Sequence, residues 1–519
     1  MLNFPRPDLR PPPPLRRPSR AYWTSPIHRK PSFLPPKTFS FLNETHSLDE
    51  IGWDNPNILK LWKYNLHYFD YLNTKNSTQN QPALYRLMLN WINKNPPGTG
   101  TGWEPYPVSL RIVNWIKWAL NGNHLSKEML HSLAVQVRWL TRRLEFHLLG
   151  NHLIANAKAL IYAGFFFQGN EADYWLKRGI KIMLDQMPEQ ILDDGAHFEL
   201  STMYQGIIIE DFLDLINLAN TYNDNSRITL DVNHMQNRVI KMLTWLGSMC
   251  HPDGKIGFFN DAAFGIAPAY HDLISYANRC KIESSQKNTK ITNNKNSGYI
   301  RLERNGAVLL IDVARIGPDY LPAHAHADTL AFEFSLGKQR IFVNSGTSCY
   351  HLCRERIYQR STAAHNTVQI DKQDSSEVWG SFRVARRAKP FDLKIDDNNF
   401  FVTCSHDGYK RLPSKAIHKR SWILKRGNLI IIDCIEGAFN DAEAKFFLHP
   451  AIQISSLNLD NTALSLDILN RKCSLQIEGG VIDVIKSYWF PEFGKRVQNS
   501  AICIKFKGPK IKTSLSWDI

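Results

Sequence analysis

A chain of 519 residues is too long for one hydrophobic core, so we expect two or three domains. Hydrophobic residues make up 43% and charged residues 21%, as in soluble globular proteins, and no run reaches the roughly 20 apolar residues of a membrane helix. The net charge of +15 indicates a polyanionic partner, which could be nucleic acid, an anionic membrane or an acidic polysaccharide.

Residues 1–45 form a basic, Pro-rich arm that begins MLNFPRPDLRPPPPLRR. Its prolines and arginines cannot build a core, so we predict an extended segment there. Because the start lacks the apolar stretch of a secretory signal, we expect a cytoplasmic protein. The eight cysteines include no C-x-x-C pair and lie mostly in apolar runs, which favours reduced thiols over a disulfide framework.

The next part of the chain, 46–284, has apolar residues at helical spacing. The clearest runs are 108–120, 129–149, 152–167 and 206–219. Each repeats every three or four residues, and short polar or Gly-containing loops separate them. This pattern predicts an array of antiparallel helices.

The spacing changes in the C-terminal part of the chain, 299–519. Short alternating apolar runs such as 330–344 and 421–437 are broken by Gly, Asn, Asp and Pro, which predicts an antiparallel β-sandwich. The polar segment 285–298 reads as a connector between the two parts. Because active sites often form in clefts between domains, we expect candidate residues from both.

Two polar clusters interrupt the helical part. In GNHLIANAKAL, Asn151 stands where a helix N-cap would, and His152 follows at the start of the helix. In ILDDGAHFELSTMYQ, Glu199 precedes a helix and Tyr204 falls in its first turn. Both clusters allow a purely structural interpretation, and the carboxylates of Asp194 and Glu199 keep a glycosidase-type acid and base pair open.

Two further clusters lie in the predicted β part. In LPAHAHADTL, strand alternation would place His324, His326 and Asp328 on one face, where a cleft or a metal is a better environment than a dry core. In ERIYQRSTAAHNTVQID, His365 follows two arginines and could join His326 in binding a divalent metal. Cupin and amidohydrolase patterns also contain H-x-H, but the surrounding residues fit neither.

In chain order, the motifs GNHLIANAKAL, DGAHFELSTMYQ, PAHAHADTLAFEFSLGKQRIFVNSG and AHNTVQID resemble the heparinase II/III family of the alginate lyase-like polysaccharide lyase superfamily. The resemblance covers roughly residues 50 to 500. It implies a multidomain α+β protein with an N-terminal α/α toroid, an incomplete helical barrel, followed by a C-terminal antiparallel β-sandwich.

The resemblance also implies β-elimination at C4 of a uronic acid in an acidic polysaccharide or oligosaccharide. Asn151 and His152 would neutralise the uronate carboxylate, and Tyr204 and His324 would remove and deliver protons, with the division between them left open. The candidate substrate-binding residues are Glu199, Arg356 and Arg360.

For cofactors, the resemblance implies one structural Zn²⁺ and no organic cofactor. The predicted zinc ligands are His326, Asn344 and His365, and Asn344 stands where the family has an aspartate, which is a stronger ligand. A site of His326, Asp328 and His365 is the alternative. The resemblance also makes the periplasm the alternative location to the cytoplasm.

Two other functions fit the same residues. The first is a glycan-binding or glycan-assembly protein that keeps this fold without turnover. The second is a glycoside hydrolase that uses a carboxylate pair, Asp194 and Glu199. A nucleic-acid partner is not expected, because the basic charge is accompanied by no recognised nucleic-acid-binding motif.

Overall fold

The structure of the protein is a computed structural model that describes residues 6–18, 23–222, 230–283, 289–468 and 471–518. Two compact units make up the chain. Unit 1 comprises Met1–Ile191, Ile207–Ile240 and Asp272–Ser284, and unit 2 comprises Leu192–Gly206, Lys241–His271 and Ser285–Ile519. Part of the predicted arm (1–5 and 19–22) and part of the predicted connector (285–288) lie outside the described residues.

The helical pattern of the first half is confirmed. The helices are α1 (Leu48–Ile51), α2 (Lys60–Tyr68), α3 (Gln81–Lys94), α4 (Pro105–Leu120), α5 (Lys127–Thr141), α6 (Gly150–Phe166), α7 (Asn170–Gln190), α8 (Thr202–Tyr222), α9 (Val232–Ser248) and α10 (Tyr270–Arg279). None of the described helices combines the length and apolar character needed to cross a membrane.

Unit 1 also contains three short antiparallel strands within the region predicted as an arm. These are β1 (Phe33–Leu34), β2 (Thr38–Phe41) and β3 (Glu44–Ser47). Phe33 and Phe39 are fully buried with Tyr71, so this hairpin region contributes to the core of unit 1. Residues 6–18 have no regular secondary structure apart from a single β-bridge between Leu15 and Phe167.

Helix α6 is the most completely buried helix of the candidate site. All of its residues are buried except His152, which matches an apolar composition that continues around the whole helix. The helix begins at Gly150 because Leu149 has a left-handed φ of 59°, which breaks the preceding turn. Asn151 therefore lies inside the first turn, and the prediction that it is the N-cap is wrong.

The predicted helix at 129–149 is too long, since α5 ends at Thr141. After it, residues 142–149 form turns that contain Glu145, whose backbone N–H donates to Asn156 Oδ1 at 2.8 Å. Apolar spacing continues through this segment, but its backbone groups bond to a side chain of the next helix. Spacing alone could not distinguish this arrangement from a longer helix.

The strands of unit 2 confirm the predicted sandwich. They are β4 (Ile291–Asn294), β5 (Tyr299–Arg304), β6 (Ala307–Asp312), β7 (Phe332–Leu336), β8 (Gln339–Phe342), β9 (Val368–Ile370), β10 (Glu377–Trp379), β11 (Arg383–Ala385), β12 (Pro390–Asp396), β13 (Phe401–His406), β14 (Ile417–Lys425), β15 (Asn428–Glu436), β16 (Ala442–Phe447), β17 (Gln453–Leu457), β18 (Ala463–Ile468), β19 (Arg471–Glu478), β20 (Val481–Trp489), β21 (Val497–Phe506) and β22 (Lys510–Trp517). One helix, α11 (Arg354–Arg360), lies among them in sequence.

Three antiparallel sheets surround a common apolar core in unit 2. Their strand orders are β4-β5-β6-β7-β8, β20-β21-β16-β9 and β12-β13-β14-β15-β22-β19-β18-β17. Alternate residues of β14, such as Trp422 and Leu424, are buried, as expected for a strand with one face on a core. Strand β4 lies within the predicted connector, because the polar residues ITNN pair with β5 at the sheet edge.

The histidine row LPAHAHADTL is not a strand, since β7 begins only at Phe332. Its backbone bonds to other loops: His324 O accepts from Asp261 N at 3.0 Å, and Ala327 N donates to Arg360 O at 2.9 Å. The segment bonds to β6 only at its end, where Leu330 N donates to Asp312 O and Ala331 O accepts from Asp312 N. The predicted strand alternation of the row is therefore wrong.

Candidate active site

Tyr204 and His324 lie against one another in unit 2. Their ring centroids are 4.1 Å apart, although the residues are far apart in sequence. Tyr204 is in the first turn of α8, as predicted, and its backbone N–H donates to Ser201 Oγ at 3.2 Å. Its hydroxyl lies 3.1 Å from the hydroxyl of Tyr350. Two of the predicted catalytic side chains are thus in direct contact.

Asp261 is the charged centre of this cluster. Its carboxylate oxygens lie 2.9 Å from His324 Nδ1 and 2.9 Å from His326 Nε2, and Arg356 donates to both oxygens. Burial alone would raise the pKa of Asp261, but the charge of Arg356 and the hydrogen bonds from both histidines outweigh it and hold this pKa well below its usual value. Asp261 is therefore an anion at neutral pH.

The anion fixes the orientation of His324. Because Asp261 can only accept at its oxygens, the neutral ring of His324 carries its proton on Nδ1 and has Nε2 as its acceptor nitrogen. Nε2 lies 3.5 Å from Glu199 Oε2, a longer separation than an ordinary charge-assisted hydrogen bond. Glu199, predicted to bind substrate, thus lies beside Nε2 of the imidazole.

Arg356 and Arg360, predicted to bind substrate, are bonded to other groups of the protein. Both side chains are buried. Arg356 binds Asp261 and the carbonyl of Ser381, and Arg360 donates to the carbonyl of Ala325 at 3.0 Å. Arg360 also donates to carbonyls of 379–383. The two guanidinium groups hold the loop that carries the histidine row.

Sequence reasoning missed Asp261 and Tyr350. Asp261 lies in GFFNDAAFG, where the adjacent polar residues Asn260 and Asp261 interrupt an otherwise apolar stretch. Tyr350 lies in GTSCYHLC after β8, a stretch with no helical or strand periodicity. The polar interruption was a usable signal for Asp261, whereas nothing local marks Tyr350.

In unit 1, His152 has its own carboxylate partner. His152 Nδ1 lies 3.0 Å from Glu145 Oε1, and the other oxygen of Glu145 accepts from Asn156 Nδ2 at 2.9 Å. The ring of Tyr106 lies 4.4 Å from that of His152, and Asn151 Nδ2 is 3.5 Å from the Tyr106 hydroxyl. Asn151 and His152 are thus positioned by Glu145 and Tyr106.

Two of the predicted metal ligands, His326 and His365, are in contact. His326 Nδ1 lies 3.2 Å from His365 Nε2, and the side chains of His326, Asp328 and His365 offer ligand atoms within 4.8 Å of one another. The amide of Asn344 instead donates to Phe258 O at 2.8 Å. Two imidazoles and one carboxylate suit Zn²⁺, so the residues present fit this metal with Asp328 as the third ligand.

Asp194, one member of the carboxylate pair considered for a hydrolase, is bonded to neighbouring protein groups. Asp194 Oδ2 accepts from the backbone N–H of Ser297 at 2.8 Å and from its hydroxyl at 2.9 Å, and Oδ1 accepts from Ala196 N at 3.2 Å. These bonds engage both oxygens of Asp194 with protein donors. Asp194 thus ties the turn around Gly195 to the start of β5.

Comparison with known proteins identifies the family. Residues 43–287 match the heparinase II/III N-terminus and residues 286–518 match the heparinase II/III-like C-terminal domain. Together the two matches cover nearly the whole chain. The protein belongs to the heparinase II/III family.

Individual relatives are distant. The chain is 24% identical over 338 residues to a heparin-sulfate lyase of Bacteroides stercoris, covering 60% of this chain and 48% of the relative. It is 21% identical over 398 residues to the heparin-sulfate lyase of Pedobacter heparinus, covering 69% of this chain and 56% of the relative. These alignments span about half the length of the relatives.

A solved structure of heparinase III superposes with a TM-score of 0.68 at 18% identity, covering 88% of this chain and 76% of that one. At this identity the likeness establishes the fold, which is the helical toroid with a β-sandwich implied by the sequence motifs.

Proposed function

We propose that the protein is a polysaccharide lyase that cleaves a uronate-containing acidic glycan by β-elimination. The observation that carries the proposal is the Tyr204–His324 contact, with His324 Nδ1 2.9 Å from the buried anion Asp261. Family membership and the net charge of +15 support an anionic glycan as substrate. The names of the relatives make heparan sulfate the first substrate to test.

The reaction requires two proton transfers at one sugar. One group removes the C5 proton of the uronate, and the bond from C4 to the leaving oxygen then breaks with protonation of that oxygen. We assign the two transfers to Tyr204 and His324, whose rings are in contact and whose imidazole is held at Nδ1 by Asp261. Tyr350 reaches the same site because its hydroxyl contacts that of Tyr204.

The C5 proton becomes acidic only when the neighbouring carboxylate is neutralised. We assign this role to Asn151 and His152, whose amide N–H₂ and imidazole N–H are suitable donors to a carboxylate. Glu145 binds Nδ1 of His152 and directs Nε2 away from itself, and the His152 side chain is 31% exposed and therefore accessible to a ligand.

Arg356 and Arg360 act as positioning residues in this scheme, because they hold Asp261 and the loop at Ala325. A Zn²⁺ at His326, Asp328 and His365 would supply a structural link between the histidine row and the segment after α11.

The proposal is tested by incubating the protein with heparan sulfate, hyaluronan, alginate and bacterial acidic glycans. We expect at least one of them to give unsaturated products with new ultraviolet absorbance. Tyr204→Phe removes only the hydroxyl and is expected to lower kcat by about 10²- to 10⁴-fold with an unchanged unfolding transition.

The matched control is Tyr174→Phe, which removes the hydroxyl of an exposed tyrosine in unit 1 and should leave the rate unchanged. Chain cleavage without an unsaturated sugar would replace elimination by hydrolysis. Binding of the glycan without any cleavage would instead identify a protein of this fold that has no turnover.

A further inference from the structure

A second group of metal-ligating side chains lies outside the catalytic residues. The sequence GTSCYHLC places Cys349, His351 and Cys353 at alternate positions, and their ligand atoms lie within 4.8 Å of one another. The two sulfur atoms are 3.5 Å apart. The group shares no residue with the cluster of His326, Asp328 and His365.

The separation of the sulfur atoms distinguishes two uses of such a pair. A disulfide requires about 2.05 Å, so the chain would have to close by more than an ångström. Two thiolates on one tetrahedral Zn²⁺, each at about 2.3 Å, are roughly 3.8 Å apart. The observed 3.5 Å is close to the second value.

The types of ligand restrict which metal ions can bind at this group. Thiolate and imidazole select borderline-soft transition metals, whereas Mg²⁺ and Ca²⁺ require oxygen ligands. Both cysteines are partly buried and His351 is exposed, so a cation can enter from solvent. We propose that Cys349, His351 and Cys353 bind one Zn²⁺-class divalent cation, with a fourth position for water or an exogenous ligand.

Metal binding replaces the protons of the two cysteine thiols. Each cysteine thiol releases its proton to solvent, and the two thiolates together with one neutral imidazole nitrogen form the bonds to the metal. No oxidant or reductant takes part. Affinity therefore increases with pH over the range in which the thiols ionise.

The site closes a loop that leads to the candidate active site. Tyr350 lies between two of the ligands in sequence, and its hydroxyl contacts Tyr204. Cys353 is the N-cap of α11, and its sulfur accepts from the backbone N–H of Arg356 at 3.4 Å. A bound cation would hold the two ends of this loop and thereby Tyr350.

The test is a Co²⁺ titration of the full chain after reduction and removal of metal. Sulfur-to-cobalt charge-transfer absorption arises only from thiolate ligands, so it separates this site from the histidine and aspartate cluster. We expect a band that saturates with one sulfur-ligated Co²⁺ per chain and is displaced by Zn²⁺. Cys349→Ser and Cys353→Ser should abolish it, and His351→Ala should weaken Co²⁺ binding by about tenfold or more.

Two control variants test whether the absorption band comes from Cys349 and Cys353. Cys434→Ser removes a partly buried thiol elsewhere in unit 2, and His365→Ala removes a ligand of the other cluster, and both should retain the band. A band that survives the combined replacement of Cys349 and Cys353, or no band in the folded wild-type protein, would overturn the proposal.

A second measurement needs no variant. Wild-type protein is alkylated with and without Zn²⁺, and the modified peptides are quantified by mass spectrometry. We expect Zn²⁺ to slow modification of Cys349 and Cys353 by about tenfold or more and to leave Cys434 unchanged. Equal rates at Cys349 and Cys353 in both conditions would also overturn the proposal.

Discussion

Two carboxylate–histidine pairs, one in each compact unit, have similar distances and different surroundings. His152 and Glu145 in unit 1 are 3.0 Å apart, and His324 and Asp261 in unit 2 are 2.9 Å apart. His152 is 31% exposed, whereas His324 is 11% exposed. Glu145 bonds otherwise to neutral groups, but Asp261 is also paired with the buried cation Arg356.

The difference shows that a carboxylate–histidine contact of the same length can contribute differently to the free energy of unfolding. The His152 pair is partly solvated, so water replaces much of what either partner loses. In the His324 pair Asp261 and its cation Arg356 are fully buried and His324 is 11% exposed, so removing one partner leaves the others with little compensation from water. We therefore expect the pair in unit 2 to govern both stability and catalysis and the pair in unit 1 to affect mainly catalysis.

The largest expected effect is that of Asp261→Asn. It leaves Arg356 buried beside a neutral amide, so the free energy of unfolding should fall by about 3 kcal/mol or more. Loss of the anion also removes the group that fixes His324, and the elimination rate should fall by about a hundredfold or more. Denaturant unfolding and the ultraviolet assay measure the two effects.

Asp253→Asn is the matched control, because it removes the partner of Arg340, which is buried in the same unit. It should lower stability and leave kcat of the folded enzyme unchanged. If Asp261→Asn behaves in the same way as Asp253→Asn, Asp261 has a structural role only.

The next comparison is between His324→Ala and His152→Ala. His324 is assigned to proton transfer, so its loss should lower kcat by about 10²- to 10⁴-fold with little change in KM. His152 is assigned to the substrate carboxylate, so its loss should raise KM as well as lower kcat. Steady-state kinetics on the cleaved glycan give both constants. Matching changes in KM for the two variants would contradict the assignment.

A third pair, His251 with Glu333 at 2.8 Å, provides the pH test. Burial raises the pKa of Glu333 to about 7, so this carboxyl is largely neutral below that pH, unlike Asp261. A carboxyl group whose pKa is higher in the folded state stabilises that state fully at pH values below its pKa in the unfolded chain, 4.5. This stabilisation is lost as the pH rises through the folded-state pKa of about 7.

Glu333→Gln should therefore flatten the pH dependence of the free energy of unfolding. Between about pH 5 and about pH 8, the free energy of unfolding should fall by at most about 3 kcal/mol more in the wild-type protein than in the variant. Denaturant unfolding at these two pH values measures the difference. Parallel curves for the two proteins would show that Glu333 is ionised throughout.

The smallest expected effect is that of Glu145→Gln. The amide oxygen can still accept from His152 Nδ1, so the free energy of unfolding should change by about 1 kcal/mol or less. The rate should fall by about tenfold at most, because only the charge behind His152 is lost. A stability loss as large as that of Asp261→Asn would remove the distinction between the two pairs.

The fold was readable from the sequence to a large extent. Helical spacing identified α4, α6 and α8, and short alternating runs identified the sandwich strands, because burial of one face leaves a period in the sequence. The errors were local: Thr141 ends α5 and Gly150 begins α6, where a left-handed Leu149 and a side-chain hydrogen bond override apolar spacing.

The candidate site was readable only in part. The pair His152–Glu145 is separated by seven residues, so Glu145 lies just before the motif GNHLIANAKAL, although only His152 was singled out. The partners Asp261 and His324 are 63 residues apart, and Tyr204 and Tyr350 are 146 apart. No local pattern specifies such contacts.

The sequence by itself determined the family motifs, the order of helical and β parts, and the identity of Asn151, His152, Tyr204 and His324 as candidates. Tertiary structure decided which carboxylate faces each histidine, that Arg356 and Arg360 are buried, and that Asp328 lies close to His326 and His365. The physical reason is that periodicity records burial along one element, whereas hydrogen bonds and ion pairs depend on which loops the folded chain brings together.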